Sequence, residues 1–512
     1  MSRDFGKNLG YFRAGEANIH IARRSKETDM KKLCIAAAAV LLCLGACAFT
    51  ACAGEEEDRT AYDIDAVFDA ETMTVTADMS VHYVNEGEGE LNDLYFRLYP
   101  SAYREGANYA PVWSSDVSDA YPHGVSYGGI TISSVTYGGE ECAWEIGGED
   151  EDVLMITGLS LLPGASADVE MSFTLDIPET RNRFGHYDGK LNLGNWYPIA
   201  AVREDGAWRT DPYMSYGDPF YSHTADYDVT FSVPTGWEVA GTGSIAAAVD
   251  GERTVYTFTA DNVRDFAICA SEKYSCTEGK AGDVTVRFYG TAPQAEAGLP
   301  VAVDAVETFS ELFGEYPYDT LSVVVTPFIE GGMEYPSLVM ISDALGEEMT
   351  KEAIIHETAH QWWYAAVGND QINEPWLDEG LAEYSTTLFY EHNPEYGVDI
   401  SDRVADAMQS YVLFSEVNAD VENMGVMDRA LGEYSTPTEY AFHAYVKGEL
   451  MLDSLRHLLG DDAFFEALRS YYAGYSGKTA DAACLIAEFE KSSGMSLTGY
   501  FKSWLSGAAD IN

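Results

Sequence analysis

The segment HETAHQWWYAAVGNDQINEPWLDEGLAEY, residues 356–384, carries two histidines four apart and a glutamate further along. On a helix, residues four apart project from one face, one turn apart. His356 and His360 can therefore turn two imidazole nitrogens toward a single ion, as a zinc site requires. Glu357 sits one step round the same helix. It is badly placed as a third ligand and well placed to reach a metal-bound water as general base. An isolated H-E-x-x-H also arises by chance on an exposed polar helix face, and here a second feature weighs against chance. Eighteen residues separate His360 from Glu379, in an amphipathic segment that reads as a second helix after the breakers Gly368 and Pro375. Its carboxylate completes a His2Glu set with a fourth position left for water, the pattern of catalytic rather than structural zinc sites.

Around this segment the apolar spacing is helical. KEAIIHETAHQWWYAAV (351–367), WLDEGLAEYSTTLFYEH (376–392), SDRVADAMQSYVLFSEV (401–417) and AYVKGELMLDSLRHLLG (444–460) all show a period near 3.6. QAEAGLPVAVDAVETFSELFGEYPY (294–318) predicts a helix ended by Gly314 and Pro317, followed by short buried strands in LSVVVTPF and SLVMIS. Upstream the period drops to two. TMTVTADMSVHYV (72–84), ADVEMSFTLDI (167–177) and DYDVTFSVP (226–234) alternate apolar and polar residues between Gly-, Asp- and Asn-containing turns. The chain is thus predicted to be multidomain: an N-terminal antiparallel β domain, saddle- or sandwich-like, over 61–290, then an α+β domain over 291–508.

The charge balance narrows the partners. Against 30 Lys and Arg stand 84 Asp and Glu, a net charge of −54. Such a surface repels phosphate backbones, so nucleic acid is excluded as a partner. Its plainest consequence is a well-solvated exterior, and a preference for basic substrates is the sharper one. The N-terminus adds an address. Met30-Lys31-Lys32 precedes LCIAAAAVLLCLGACAFTAC (33–52), after which the chain turns acidic. A short basic region, an apolar core and small residues before a cysteine describe an export signal, and this one resembles a bacterial lipoprotein signal. Cys52 and Cys47 both fit the lipidated position. Cys52 is favoured because the acidic tether, 53–60, starts directly after it. Residues 33–51 are also long enough to span a bilayer uncleaved. A lipoprotein, a retained anchor and a secreted form all place the bulk of the chain outside the cytoplasm. Residues 1–29 are out of place ahead of a signal, which points to Met30 as the true start, so that 1–52 is an upstream segment plus signal. Downstream, Cys142, Cys269, Cys276 and Cys484 form no disulfide framework. A Cys269–Cys276 bridge and buried free thiols both remain open.

The zinc segment resembles the gluzincin metallopeptidases of the aminopeptidase N and leukotriene hydrolase family. That family's pattern is H-E-x-x-H, eighteen residues, then Glu within W-L-x-E-G, here WLDEG. GGMEYP (331–336) resembles its G-A-M-E-N, and AYVKG (444–448) resembles its Y-x-K-G. VRDFAICASEKY (263–274) extends the likeness into the β-rich portion, so that it covers about 60–505.

The resemblance implies a thermolysin-like catalytic domain at 291–508 with one zinc per chain, held by His356, His360 and Glu379. It also implies Glu357 as general base, Tyr445 as oxyanion partner, and Glu334 as the group that holds a substrate's free α-amine. Gly331, Gly332 and Met333 complete the substrate-binding strip. Gly332 and Tyr335 depart from the family's Ala and Asn. Asp378 and Glu383 are candidates by position for fixing the imidazole tautomers, and His443 is the one further histidine near the site. The aromatic stretch DPYMSYGDPFYSH (211–223) is read as packing or as cleft lining. The larger relatives continue into a helical domain that caps the cleft, so a more open site is expected here. The implied function is an extracytoplasmic, lipid-anchored zinc aminopeptidase acting on peptides. A zinc endopeptidase with an open cleft and a non-catalytic peptide-binding lipoprotein are the alternatives.

Overall fold

The computed structural model describes residues 58–421, 423–509 and 511. Met30, Cys47, Cys52 and the acidic tether up to residue 57 lie outside the described residues. Among the described residues no helix is long and apolar enough to cross a membrane.

The period-two runs form the expected sheets. The largest has eight strands, in the order Ser244–Asp250, Arg253–Val263, Ala225–Pro234, Ala61–Asp69, Thr74–Val84, Ser166–Asp176, Gly129–Tyr137 and Glu140–Glu141. Burial alternates along Ala61–Asp69: Ile64, Ala66 and Phe68 turn inward while Asp63, Asp65 and Val67 face out. Each fully buried aliphatic or aromatic side chain on the inward face contributes roughly 1.5–3 kcal/mol, so a register slip of one residue would forfeit the whole row. All the pairings are antiparallel except Ala61–Asp69 with Ala225–Pro234, which run parallel. Two four-stranded sheets cover the inner face, one built on Lys190–Leu193 and Ile268–Ser271, the other on Leu91–Arg97 and Val153–Leu161.

A five-stranded sheet carries the second half, in the order Ser275–Ala281, Val284–Gly290, Thr320–Thr326, Leu338–Ser342 and Gly332–Met333. Its three inner strands are parallel, and every residue of Thr320–Thr326 is buried, as a strand covered on both faces demands. Sheet membership therefore moves the change of domain one hairpin earlier than residue 290. An alternating hairpin reads the same whichever sheet it joins, so periodicity could not place 275–290. The helix Ala292–Phe313 makes the crossover. A capping box between Thr291 and Gln294 starts it, and Gly314 ends it at φ 131° and ψ 165°, an extended positive-φ conformation open to glycine. The two halves share apolar packing: Val324, Phe328, Tyr335 and Met340 belong to the same cluster as the β-sheet core.

One helix boundary needs correction, and the question left open for the cysteines is answered. The helix predicted over 351–367 spans Glu347–Ala359, and the chain then turns sharply. Tyr364 adopts φ 133°, and Arg264 donates to its carbonyl at 2.8 Å. A tertiary hydrogen bond from the VRDF stretch thus competes successfully with continued helix. Gly368 is required beside it, since a Cβ there would meet the Arg264 guanidinium at 1.9 Å. All four described cysteines are free. Cys269 is buried and Cys276 exposed, so no bridge joins them.

Candidate metal and peptide site

The helix Glu347–Ala359 ends at the ligands. His356 lies in its last turn, and His360 caps it with helical backbone angles. Their Nε2 atoms stand 3.1 Å apart, and Glu379 Oε2 lies 3.3 Å from each. Glu379 comes from the first turns of the helix Trp376–His392, whose position is set by a glycine pair. A Cβ on Gly448 would meet Gly380 Cα at 2.6 Å. Bare backbone at both positions lets this helix touch the helix Lys447–Leu459. The contact explains the glycines of WLDEG and YVKG, and it brings Tyr445 to Glu379.

Each imidazole is fixed from behind. His356 Nδ1 is 3.2 Å from Glu383 Oε2, and His360 Nδ1 is 2.9 Å from the carbonyl of Trp363. Arg403 in turn holds Glu383 at 2.6 Å. With both Nδ1 atoms as donors, two Nε2 lone pairs and a carboxylate oxygen converge on one point. Three acceptors so placed call for a positive charge among them. Burial would lower the His356 pKa, yet hydrogen bonds to Glu379 and Glu383 outweigh it and raise the value to about 10. His360 is likewise raised well above its ordinary value despite its burial, mainly by Glu334 and Glu379. Glu379 is held low: burial would raise it, but the two imidazoles prevail. The donor set, with ligand atoms within 4.8 Å of one another, fits a tetrahedral zinc ion.

Of the two residues read as tautomer fixers, Glu383 touches an imidazole. Asp378 instead accepts from Asn369 at 2.9 Å and from Gln371 at 2.7 Å. Gln371 also donates to Glu334 Oε1 at 2.9 Å, so one amide ties the two carboxylates together. His443 is a satisfied core residue. Its Nδ1 donates to the carbonyl of Glu439 and its Nε2 accepts from the Gly425 amide, and burial lowers its pKa to about 4.

The remaining predicted residues line a cleft of about 280 Å³ beside the ligands, with one exception. Glu357, Glu334, Gly331, Gly332 and Tyr445 all face it. Met333 does not: its sulfur accepts from Arg183 at 3.4 Å, and its side chain is buried in the β-domain core. Alternation along the edge strand Gly332–Met333 turns neighbours to opposite sides. Burial pushes Glu357 up to about 8, while His356 and His360 pull against it. Burial and the nearby Asp218 push Glu334 up to about 7. Tyr445 sits in a widened turn, Phe442–Val446, and its hydroxyl donates to Glu379 Oε1.

Tyr335 also has an account. Its hydroxyl donates to Asn195 at 2.9 Å, in a slot that exists because Gly194 has no side chain; a Cβ there would stand 1.9 Å from that oxygen. The ring points away from the cleft and pins the GGME strip to the β domain. Sequence reasoning missed Arg183, Asp218, Glu330 and Tyr440. Gly217 and Asp218 reach the cleft from the aromatic 211–223 stretch, whose Phe220 packs in the core. Arg183 and Asp218 form a buried pair at 2.9 Å, and Tyr440 adds a second hydroxyl to Glu379 Oε1 at 3.1 Å. No local spacing announces them, because they come from three separate loops and the short helix Pro437–Ala441.

Residues 298–504 match the peptidase family M1 domain. Aminopeptidase M1-B of Oryza sativa subsp. japonica is 24% identical over 384 residues, covering 69% of this chain and 42% of that protein. Aminopeptidase N of Lactobacillus helveticus is 24% identical over 407 residues, covering 73% of this chain and 46% of that protein. The chain thus spans less than half the length of these curated relatives. A mutant of the M1 zinc metallopeptidase from Deinococcus radiodurans shares the fold, with a TM-score of 0.64 at 17% identity over 89% of this chain and 95% of that one. A second structure of that mutant, bound to a Tyr-Ser-Ala substrate, has a TM-score of 0.61 at 18% identity, covering 89% of this chain and 95% of that one. Residues 298–504 thus match a peptidase family M1 domain, set in a two-part fold that is similar to these M1 zinc metallopeptidase structures.

Proposed function

We propose that this protein is a zinc-dependent aminopeptidase that removes N-terminal residues from peptides. The observation that carries the reading is the convergence of His356, His360 and Glu379 on one point, with Glu357 and Glu334 facing the same cleft. Zinc held by those three side chains supplies a Lewis acid that polarises a carbonyl and lowers the pKa of bound water toward ~7. Glu357 is the proton carrier. Its carboxyl is held near neutrality, so it can take a proton from the attacking water and return it to the leaving amine. Tyr445 presents a hydroxyl at the ligand side of the cleft, where it can turn from Glu379 to a developing oxyanion.

Glu334 favours exopeptidase over endopeptidase action. Burial and the neighbouring Asp218 carboxylate raise its pKa to about 7, and an α-ammonium group beside it would stabilise its charged form. The Tyr-Ser-Ala substrate of the Deinococcus radiodurans protein is in keeping with a free-amine peptide here. The signal-like sequence at 30–52 supports an extracytoplasmic protein, anchored to the membrane by lipid on Cys52.

The test uses protein from Gly54 onward, with and without Glu357→Gln, on aminoacyl-anilides and on matching N-acetylated peptides, before and after chelation. Zinc-restorable cleavage of free-amine substrates only, lost in the variant, is the expected result. Cleavage of the blocked peptides would make the protein an endopeptidase. Zinc bound one per chain with no turnover would make it a peptide-binding lipoprotein.

A further inference from the structure

Glu330 stands one residue ahead of the GGME strip, in the bend that follows Thr320–Thr326, and lines the same cleft as Glu334. Its Oε2 is shielded from solvent and, among the described residues, has no hydrogen-bond partner. A buried, unpartnered carboxylate oxygen is costly, and such groups in native proteins call for a reason. Among the described residues the one Lys or Arg lining the cleft is Arg183, and its hydrogen bonds go elsewhere. Its guanidinium donates to Asp218 at 2.9 Å, to the carbonyl of Gly217 at 3.3 Å and to the Met333 sulfur at 3.4 Å. Its face lies over Phe220 and Phe328. Arg183 therefore pairs with Asp218, and although its charge also steadies Glu330 from a distance, no hydrogen bond reaches Glu330 Oε2, in a cleft that already has Glu334 for the α-amine.

We propose that Glu330 is a specificity residue that takes the cationic side chain of an arginine or lysine at the substrate's N-terminus. The inference rests on reading the cleft as the peptide site. Two carboxylates then have two cations to meet: Glu334 the ammonium, and Glu330 the guanidinium or side-chain amine. Within a buried cleft each contact is a charge-assisted hydrogen bond, stronger than a neutral one. The net charge of −54 acts in the same direction at long range, by concentrating basic peptides near the protein. A neutral first residue such as leucine would leave the Glu330 oxygen buried and unpartnered, and that penalty is the source of discrimination.

The test is calorimetric and independent of turnover. Zinc-loaded wild-type protein is titrated with L-arginine and with L-norleucine, which both carry the α-amine and differ in the side-chain charge. L-arginine should bind about tenfold or more tightly than L-norleucine. In Glu330→Gln, L-arginine should weaken by about tenfold while L-norleucine stays within about twofold. The wild-type ratio decides the matter even if the variant folds poorly. Equal binding of the two ligands, tighter L-norleucine, or no binding of either at millimolar concentration would overturn the proposal. Parallel assays on aminoacyl-anilides separate the two readings. Cleavage without arginine preference would refute the role of Glu330 alone. Arginine selectivity without cleavage would refute the aminopeptidase alone.

Discussion

Gly332 and Glu357 are in such close register that a Cβ at position 332 would stand 2.3 Å from Glu357 Oε1 and 2.5 Å from its Cγ. The general-base candidate thus occupies the space that a side chain on the edge strand would fill. Gly332→Ala should displace Glu357 to another rotamer, and a misplaced carboxylate transfers protons less well. The expected outcome is a fall in kcat of about tenfold, with KM and zinc content little changed. Steady-state kinetics beside metal analysis checks it. A loss of zinc would mean that the backbone, rather than the Glu357 side chain, gives way.

Glu383 reaches His356 Nδ1 at 3.2 Å and is itself held by Arg403 at 2.6 Å. Replacing the carboxylate by a neutral amide leaves the ring N–H a weaker acceptor and makes Nε2 a poorer ligand. Glu383→Gln should weaken zinc binding by about 10–100-fold without unfolding the protein. Competition against a chelating dye would measure it. Unchanged affinity would show that packing alone orients the ring.

The metal-free site holds protons. Burial opposes it, yet Glu379, Glu383 and Glu334 raise the pKa of His356 to about 10 and that of His360 well above its ordinary value, so the metal-free pair, with its Nε2 atoms 3.1 Å apart, shares a proton at neutral pH that a metal must displace. Zinc affinity should therefore climb by about tenfold or more per pH unit between pH 6 and 8, with protons released on binding. Titrations in buffers of different ionisation enthalpy would count those protons. A flat profile would mean that the rings are already neutral.

Asp265 is buried beneath the site, where it accepts from Asn195 and from the amide of Phe266. Burial raises its pKa from 3.8 to about 7, against the pull of those hydrogen bonds. The folded carboxyl holds its proton more tightly than the unfolded one, so protonation favours the fold and stability falls as pH rises from about 4 to about 7. Between pH 5 and 7 that loss is of the order of 2–3 kcal/mol. Asp265→Asn should flatten this part of the profile, whatever constant cost it adds. Urea unfolding of both proteins at pH 5 and 7 makes the comparison, and parallel slopes would refute it.

Much of this protein is written locally. The four-residue spacing of His356 and His360, the helix that carries Glu379, and the glycines of WLDEG and YVKG each follow from periodicities and sterics that act within one or two turns. The alternation of Ile64, Ala66 and Phe68 likewise fixes which face of a strand is buried before any partner strand is known. What was not legible depends on residues far apart in the chain. The helix carrying the histidines stops at Ala359, where Arg264 satisfies a carbonyl that a longer helix would have used. Met333 turns into the core and Glu330 into the cleft because of sheet pairing and packing. Arg183 and Asp218 meet from segments thirty-five residues apart, and Tyr440 meets Glu379 from sixty-one. The sequence by itself determined the ligand set and the two-part fold, because helical and strand periods are properties of short stretches. Only the tertiary structure decided which carboxylates are paired and which are left facing the cleft, because burial and ion pairing are set by neighbours that adjacency in the chain does not specify.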